Sequence, residues 1–279
     1  MCDSAGGDPS PDPGRYASLF SLGAEQAVAY ARFRPMYPER LYDEIYDFAK
    51  LPVYEAALDV GTGSGQAALA LARRFERVVA TDLNERQLAQ APTVENVTYR
   101  QGTAETLDFA DDTFDLVTIA QALHWFDLRR FYAEATRVLK PHGTLAAWVY
   151  ERTFFDGNPA ANEAMHDILT RKLGPYWADK CDLVHKRYEG AEPTPDEFRV
   201  CEMRTVDLTS DTTVANLAGY MSSWSAYNTY MKANPRAEDP LEAFKAAVLA
   251  SLSGAQDDSV VVRVTTPMHL LLAREPVKN

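Results

Sequence analysis

From Ala56 to Tyr150 short apolar runs alternate with stretches of helical periodicity. The runs at 56–60, 77–81 ("RVVAT"), 97–100 ("VTYR"), 114–120 ("FDLVTIA") and 144–149 ("TLAAWV") predict strands, and 65–75, 84–91 and 128–139 predict helices. Near-continuous apolar strands separated by helices imply a parallel sheet covered on both faces, with right-handed crossovers. The expected fold class is therefore α/β and doubly wound, and ligands of such sheets bind outside the carboxyl ends of the strands. Upstream, 24–50 reads as two helices interrupted by Pro35 and Pro38. Downstream, 157–188 reads as helical, "GAEPTPDEF" as a loop and "FRVCEMRTVDL" as a strand. Helices are expected over 211–232 and 240–252, and "SVVVRVTTPMHLLLARE" predicts one or two terminal strands that complete the same sheet.

Composition adds limits to that picture. The 279 residues are 46% apolar and 24% charged, ordinary for a globular protein of one large or two small domains. No apolar run approaches the roughly 18 residues of a membrane span. The opening "MCDSAGGDPSPDPG" has the build of neither a signal nor a transit peptide, so residues 1–19 are expected to be a disordered tail and the protein cytoplasmic. A net charge of −12 without a basic block argues against nucleic acid as a partner. Cys2, Cys181 and Cys201 are scattered, which fits a reducing compartment. With no zinc-type spacing among them or the five histidines, no metal is expected.

The stretch "ALDVGTGSGQAALALA", Ala57 to Ala72, carries the most chemistry. Gly61, Gly63 and Gly65 stand between a predicted strand and a predicted helix, where bare backbone and a helix N-terminus let a ligand approach. Dinucleotide folds use GxGxxG, but here Gln66 occupies the third glycine's slot. Twenty-one residues past Gly61, at the end of the next strand, stands Asp82, a carboxylate able to accept from both hydroxyls of a ribose. Capping of the helix that follows is its plainer role, and Asn84 is the better cap.

Asp59 followed by the three glycines gives D-x-G-x-G-x-G, which resembles motif I of the S-adenosylmethionine-dependent methyltransferases. "GTAETLDFADDTFDLVTIA" and "RVLKPHGTLAAW" resemble two further segments of that family, with His142 in place of the first glycine of a glycine pair. The resemblance implies a class I methyltransferase fold: a seven-stranded sheet with an N-terminal helical lid (20–52), a donor-binding core (53–150) and a substrate cap with the last strands (151–279). It also implies S-adenosyl-L-methionine as cofactor, leaving as S-adenosyl-L-homocysteine. The donor residues it implies are Tyr30, Arg34, Asp59, Gly61, Thr62, Gly63, Gln66, Asp82, Leu83, Thr103, Ala104, Glu105, Ala120 and Gln121. "AVAYARFRPMYPERL", "LVTIAQALHWFDLRRFY" and "MSSWSAYNTY" are similar to the trans-aconitate-methyltransferase-like group, which includes plant embryo-abundant relatives.

Instead of the Asn-Pro-Pro-Tyr motif with which amide and adenine methyltransferases grip a planar nitrogen, this chain has "AQALHW" after the fourth strand. A small organic acceptor is therefore expected, and the trans-aconitate-like resemblance implies a carboxylate first, with a phenol, thiol or other natural product as the alternative. A binding module without turnover stays open at this point. His124 and Trp125 are the candidates to face the acceptor, His124 as base or as orienting residue. Tyr37, Tyr176, Trp177, Trp224 and Tyr227 are the candidate substrate wall, although a turn-spaced aromatic stripe is more often core. A monomer or weak dimer is expected.

Overall fold

The computed structural model describes residues 37–150 and 152–278. Five strands are parallel: β1 (Ala56–Val60), β2 (Arg77–Asp82), β3 (Val97–Gln101), β4 (Phe114–Ala120) and β5 (Leu139–Tyr150). Two long strands follow, β7 (Phe198–Thr213) and β8 (Val261–Pro276), with the two-residue β6 (Phe154–Phe155) before them. The sheet has eight strands in the order β3-β2-β1-β4-β5-β8, β8 then pairing both β6 and β7 antiparallel. The eighth strand, beyond the seven expected, is β6, which continues the β5 edge for two residues. β1 pairs β2 on one side and β4 on the other, so the topological switch lies between β1 and β4. A crevice at the carboxyl ends of those two strands follows from that topology.

Burial on both faces explains the apolar strands. All five residues of β1 are buried. One face packs against α1 (Glu39–Ala49) and α2 (Gln66–Leu71) through Leu41, Ile45, Ala57, Leu71, Leu116 and Trp148. The other packs against α4 (Leu128–Val138) through Leu58, Val117, Phe131 and Val138. Between these, α3 (Glu85–Leu88) is a single turn. Helix α2 stops well before 75 because the Asn96 side-chain amide donates to the carbonyls of Ala72 and Phe75, diverting the acceptors of the next turn.

A third apolar cluster lies under the C-terminal elements α5 (Pro159–His166), α7 (Val214–Met221), α8 (Ser225–Ala233) and α9 (Pro240–Ala250), whereas α6 (Asp182–His185) packs Leu183 and Val184 against the cluster of α4. The expected helix over 157–188 is broken. A π turn at Asp167–Lys172 gives way to 3-10 turns at Gly174–Tyr176 and Asp179–Cys181, because Gly174 and Pro175 cannot sustain the ladder. Thr212 and Thr213, expected in a helix, instead pair with Val262 and Val261 before Thr213 caps α7. At the opposite end of the sheet His142 bonds the buried Asp115 carboxylate (3.1 Å), which also accepts from Lys140 and the Ala56 N–H. Burial opposes the charge on Asp115, but these donors together hold its pKa below the usual carboxylate value.

Candidate active site

The glycine turn leaves β1 with Gly61, Gly63 and Gly65 at φ of +70°, +59° and +88°. Those are left-handed conformations that side-chain-bearing residues rarely adopt. At two of them space forbids a side chain as well. A Cβ on Gly61 would stand 2.6 Å from the Ala122 Cβ, and one on Gly65 would stand 2.6 Å from the Tyr99 hydroxyl. The turn is anchored to β2, whose Thr81 carbonyl accepts from the N–H groups of Gly61 (2.8 Å) and Thr62 (2.9 Å).

Asp82 closes the turn from the end of β2. Its Oδ2 accepts from Gly63 N–H and its Oδ1 from Asn84 N–H, both at 2.8 Å. Asn84 caps α3 by accepting from Arg86 N–H, so capping does not require Asp82. A carboxylate offers about four acceptor positions, more than the backbone amides of Gly63, Asn84 and Leu83 fill. Burial raises the Asp82 pKa against the pull of the Asn84 and Gly63 amides. Beside it Leu83 is 46% exposed, an apolar side chain held at the crevice rim.

Asp59 is fully buried one turn deeper. Its Oδ1 accepts from the Thr118 hydroxyl at 2.7 Å, while its Oδ2 and Thr62 Oγ1 have no hydrogen-bond partner among the described residues. Burial pushes the Asp59 pKa up to about 6, with the nearby Thr62 and Thr118 hydroxyls pulling it down. Gln66 begins α2, its side-chain oxygen accepting from Ser64 at 3.3 Å.

Two further turns complete the crevice. After β3, a bridge between Thr103 and Thr106 buries Ala104 in the core. Glu105 accepts from Asp127 N–H (3.0 Å), and Asp127 in turn caps α4. The Glu105 carboxylate thus ties this turn to the one after β4. There Ala120 ends the strand and Gln121 takes φ +57°, donating its backbone N–H to Trp148 O and its side-chain amide to Tyr150 O. A non-glycine in that region is strained by roughly 1–3 kcal/mol, a device common at ligand sites.

His124 and Trp125 sit in the 3-10 turn Leu123–Trp125 that follows. His124 is only 6% exposed, its Nδ1 3.4 Å from the Tyr188 hydroxyl and its ring 4.9 Å from that of Trp125. Burial drives the Tyr188 phenol far above its ordinary pKa. Lys180 donates to Trp125 O at 2.6 Å, and desolvation lowers its pKa against the opposing charges of Glu105 and Asp127.

The other aromatic candidates scatter. Tyr37 stacks edge-on against Trp148 at 5.2 Å, next to the end of β4 in the sheet register. Trp177 and Trp224 meet at 5.8 Å, and rings continue through Tyr220 to Tyr150, whose carbonyl holds Gln121. Trp177 also walls a cleft of about 460 Å³ with Leu169, Cys181 and His185. Tyr176 packs on Tyr230 and accepts from Asn234, while Tyr227 donates to Asp239, so both are engaged inside the cap. Tyr30 and Arg34 lie outside the described residues. Sequence reasoning passed over Phe126, Tyr99, Tyr150, Lys180 and Tyr188. Phe126 stood inside an already quoted segment, whereas Lys180 and Tyr188 lie where a continuous helix was expected and the chain instead breaks into short turns.

An adenosyl sulfonium suits these residues. At two glycines the turn leaves no room for a Cβ, two buried oxygens lack partners among the described residues, and an exposed leucine adjoins a carboxylate with acceptor positions to spare. Among the described residues no cluster of His, Cys, Asp or Glu is placed to hold a metal, and no helix is long and apolar enough to cross a membrane.

Comparison with known proteins agrees. Residues 58–147 match a family described as a methyltransferase domain. A protein of Dictyostelium discoideum named as a methyltransferase is 31% identical over 268 residues, covering 96% of this chain and 98% of its own length. CRG1 of Saccharomyces cerevisiae, named as S-adenosylmethionine-dependent, is 24% identical over 250 residues, 78% of this chain and 85% of that protein. A solved type II methyltransferase from Anaeromyxobacter dehalogenans superposes with a TM-score of 0.73 at 32% identity, covering 87% of this chain and 98% of that one. A likeness that runs nearly end to end places this chain among the class I S-adenosylmethionine-dependent methyltransferases, enzymes whose methyl donor is S-adenosyl-L-methionine.

Proposed function

We propose that the enzyme methylates a small organic acid on its carboxylate, giving a methyl ester as in the trans-aconitate-like group. The observation that carries this reading is the state of His124, buried and held at Nδ1 beside the Tyr188 hydroxyl. An imidazole so fixed orients its surroundings, and a carboxylate arrives ionised and needs no base. S-adenosyl-L-methionine supplies an electrophilic methyl group on sulfur. The chain's own part is to hold donor and acceptor in line, and positioning of this kind can lower a barrier by roughly 7–11 kcal/mol.

In this reading Asp82 takes the ribose hydroxyls, Leu83 and Ala104 flank the adenine, and Asp59, the glycine turn and Gln121 surround the methionine end. Tyr30 and Arg34 are proposed to cover the donor, and Trp177 and Trp224 to wall the acceptor side. The second reading, an O- or S-methyltransferase of a phenol or thiol, is favoured by the ring series from Trp177 to Tyr150. It would make His124 a base.

Incubation with methyl-labelled donor and a pool of acids, phenols and thiols separates the two by the labelled product. A labelled ester is expected. With that acid as substrate, His124→Ala should leave the rate within about threefold across pH 6–9. A labelled ether or thioether, lost at low pH with that variant, would establish the second reading instead.

A further inference from the structure

Among the described residues strand β7 pairs only with β8, so its sixteen residues form an outer edge of the sheet as described. Such an edge invites pairing unless its side chains prevent it. Here the side chains are complementary to themselves. If a second β7 runs antiparallel with Met203 opposite Met203, then Glu202 faces Arg204, Arg199 faces Asp207 and Val200 faces Val206. Cys201 then faces Thr205, and Phe198 faces Leu208. Each pair recurs on the other side of the two-fold axis.

The neighbouring symmetric registers fail. Centring on residue 202 sets Glu202 against Glu202, and centring on 204 sets Arg204 against Arg204. Like charges directly opposed destabilise a strand pair, so charge disfavours both neighbours, whereas the Met203-centred register sets opposite charges against each other at Glu202–Arg204 and Arg199–Asp207. On the face that carries Arg199, Cys201, Met203, Thr205 and Asp207, all five residues are exposed, Met203 to 39%. On the other face Arg204 is already ordered, bonding Glu202 on its own strand and Glu44 on α1.

We propose that this chain forms a two-fold symmetric dimer through antiparallel β7–β7 pairing centred on Met203, which joins two eight-stranded sheets edge to edge. The partner is a second copy because the edge is complementary to its own reverse in both charge and apolar character.

Sedimentation velocity on the full chain between about 1 and 100 µM should show a reversible monomer–dimer equilibrium. Arg199→Asp places two aspartates opposite each other at both ends and should weaken the dimer at least tenfold. Arg199→Asp with Asp207→Arg should restore it. In a Cys201→Ser background, Met203→Cys should cross-link under mild oxidation, because directly opposed Cα atoms about 4.5–5.5 Å apart lie within disulfide reach. Thr209→Cys, on the same edge, should not cross-link, because this register separates the two copies of residue 209. A protein that stays monomeric throughout would overturn the proposal. So would a dimer indifferent to Arg199→Asp, or equal cross-linking at 203 and 209.

Discussion

Asp82 shows how one carboxylate can hold a turn and still keep acceptor positions for the proposed donor. It holds the glycine turn through Gly63 N–H, and its remaining acceptor positions are assigned to the donor. Asp82→Ala should therefore weaken S-adenosylmethionine binding by at least the roughly 1.5–3 kcal/mol of one charge-assisted hydrogen bond, read by calorimetry. Wild-type affinity in that variant would remove Asp82 from the site. Asp59 makes a pH statement. The native state holds its proton more tightly than the unfolded chain, because burial raises its pKa to about 6. Stability attached to this group is fully present below about pH 4 and is lost as the pH rises through 6. The difference amounts to about 3 kcal/mol. Asp59→Asn cannot ionise, so wild type should lose up to that amount relative to the variant between pH 4 and 7 in urea denaturation. A pH-independent difference would mean that Asp59 does not titrate there.

At the scale of elements, the glycine turn is where backbone geometry and ligand access coincide. Gly61→Ala combines a φ of +70° with a Cβ 2.6 Å from Ala122, whose own Cβ cannot swing aside. Its cost should be roughly 1–3 kcal/mol or more in thermal stability, with loss of donor binding. Tyr99→Phe is the contrasting case. It removes a buried hydroxyl that has no partner among the described residues, the same atom that crowds Gly65, and should be neutral or stabilising. Strands β1 and β4 were legible to the residue because both faces of each are buried and most positions are apolar, Asp59 and Asp115 being the charged exceptions. The ends of α2 were not, since a side chain from Asn96 terminates it. Nor was the break after α5, where the chain follows cap packing rather than its own helical periodicity.

For the whole molecule, donor binding and folding are linked. A saturating ligand that binds only the native state adds about 2.7 kcal/mol at a hundredfold excess over Kd. That should raise Tm by several degrees in thermal melts, and an Asp82→Ala protein should show little of the shift. The proposed donor site is one a sequence can carry because it is local. Asp59, the glycines and Asp82 lie on consecutive strand ends, so parallel pairing alone brings them together. The proposed acceptor side draws on Trp177 and Trp224, far apart in the chain and brought together only by how the cap packs.

The sequence by itself determined the α/β class, the glycine turn and the carboxylate opposite it, because strand burial and left-handed backbone conformations leave few residue choices. Tertiary structure decided the rest. It spent Glu105 on Asp127, turned His124 against Tyr188 and placed Tyr176 and Tyr227 inside the cap. It also left β7 as an outer edge. These outcomes depend on which distant groups compete for each donor, acceptor and ring face, and no periodicity along the chain encodes that competition.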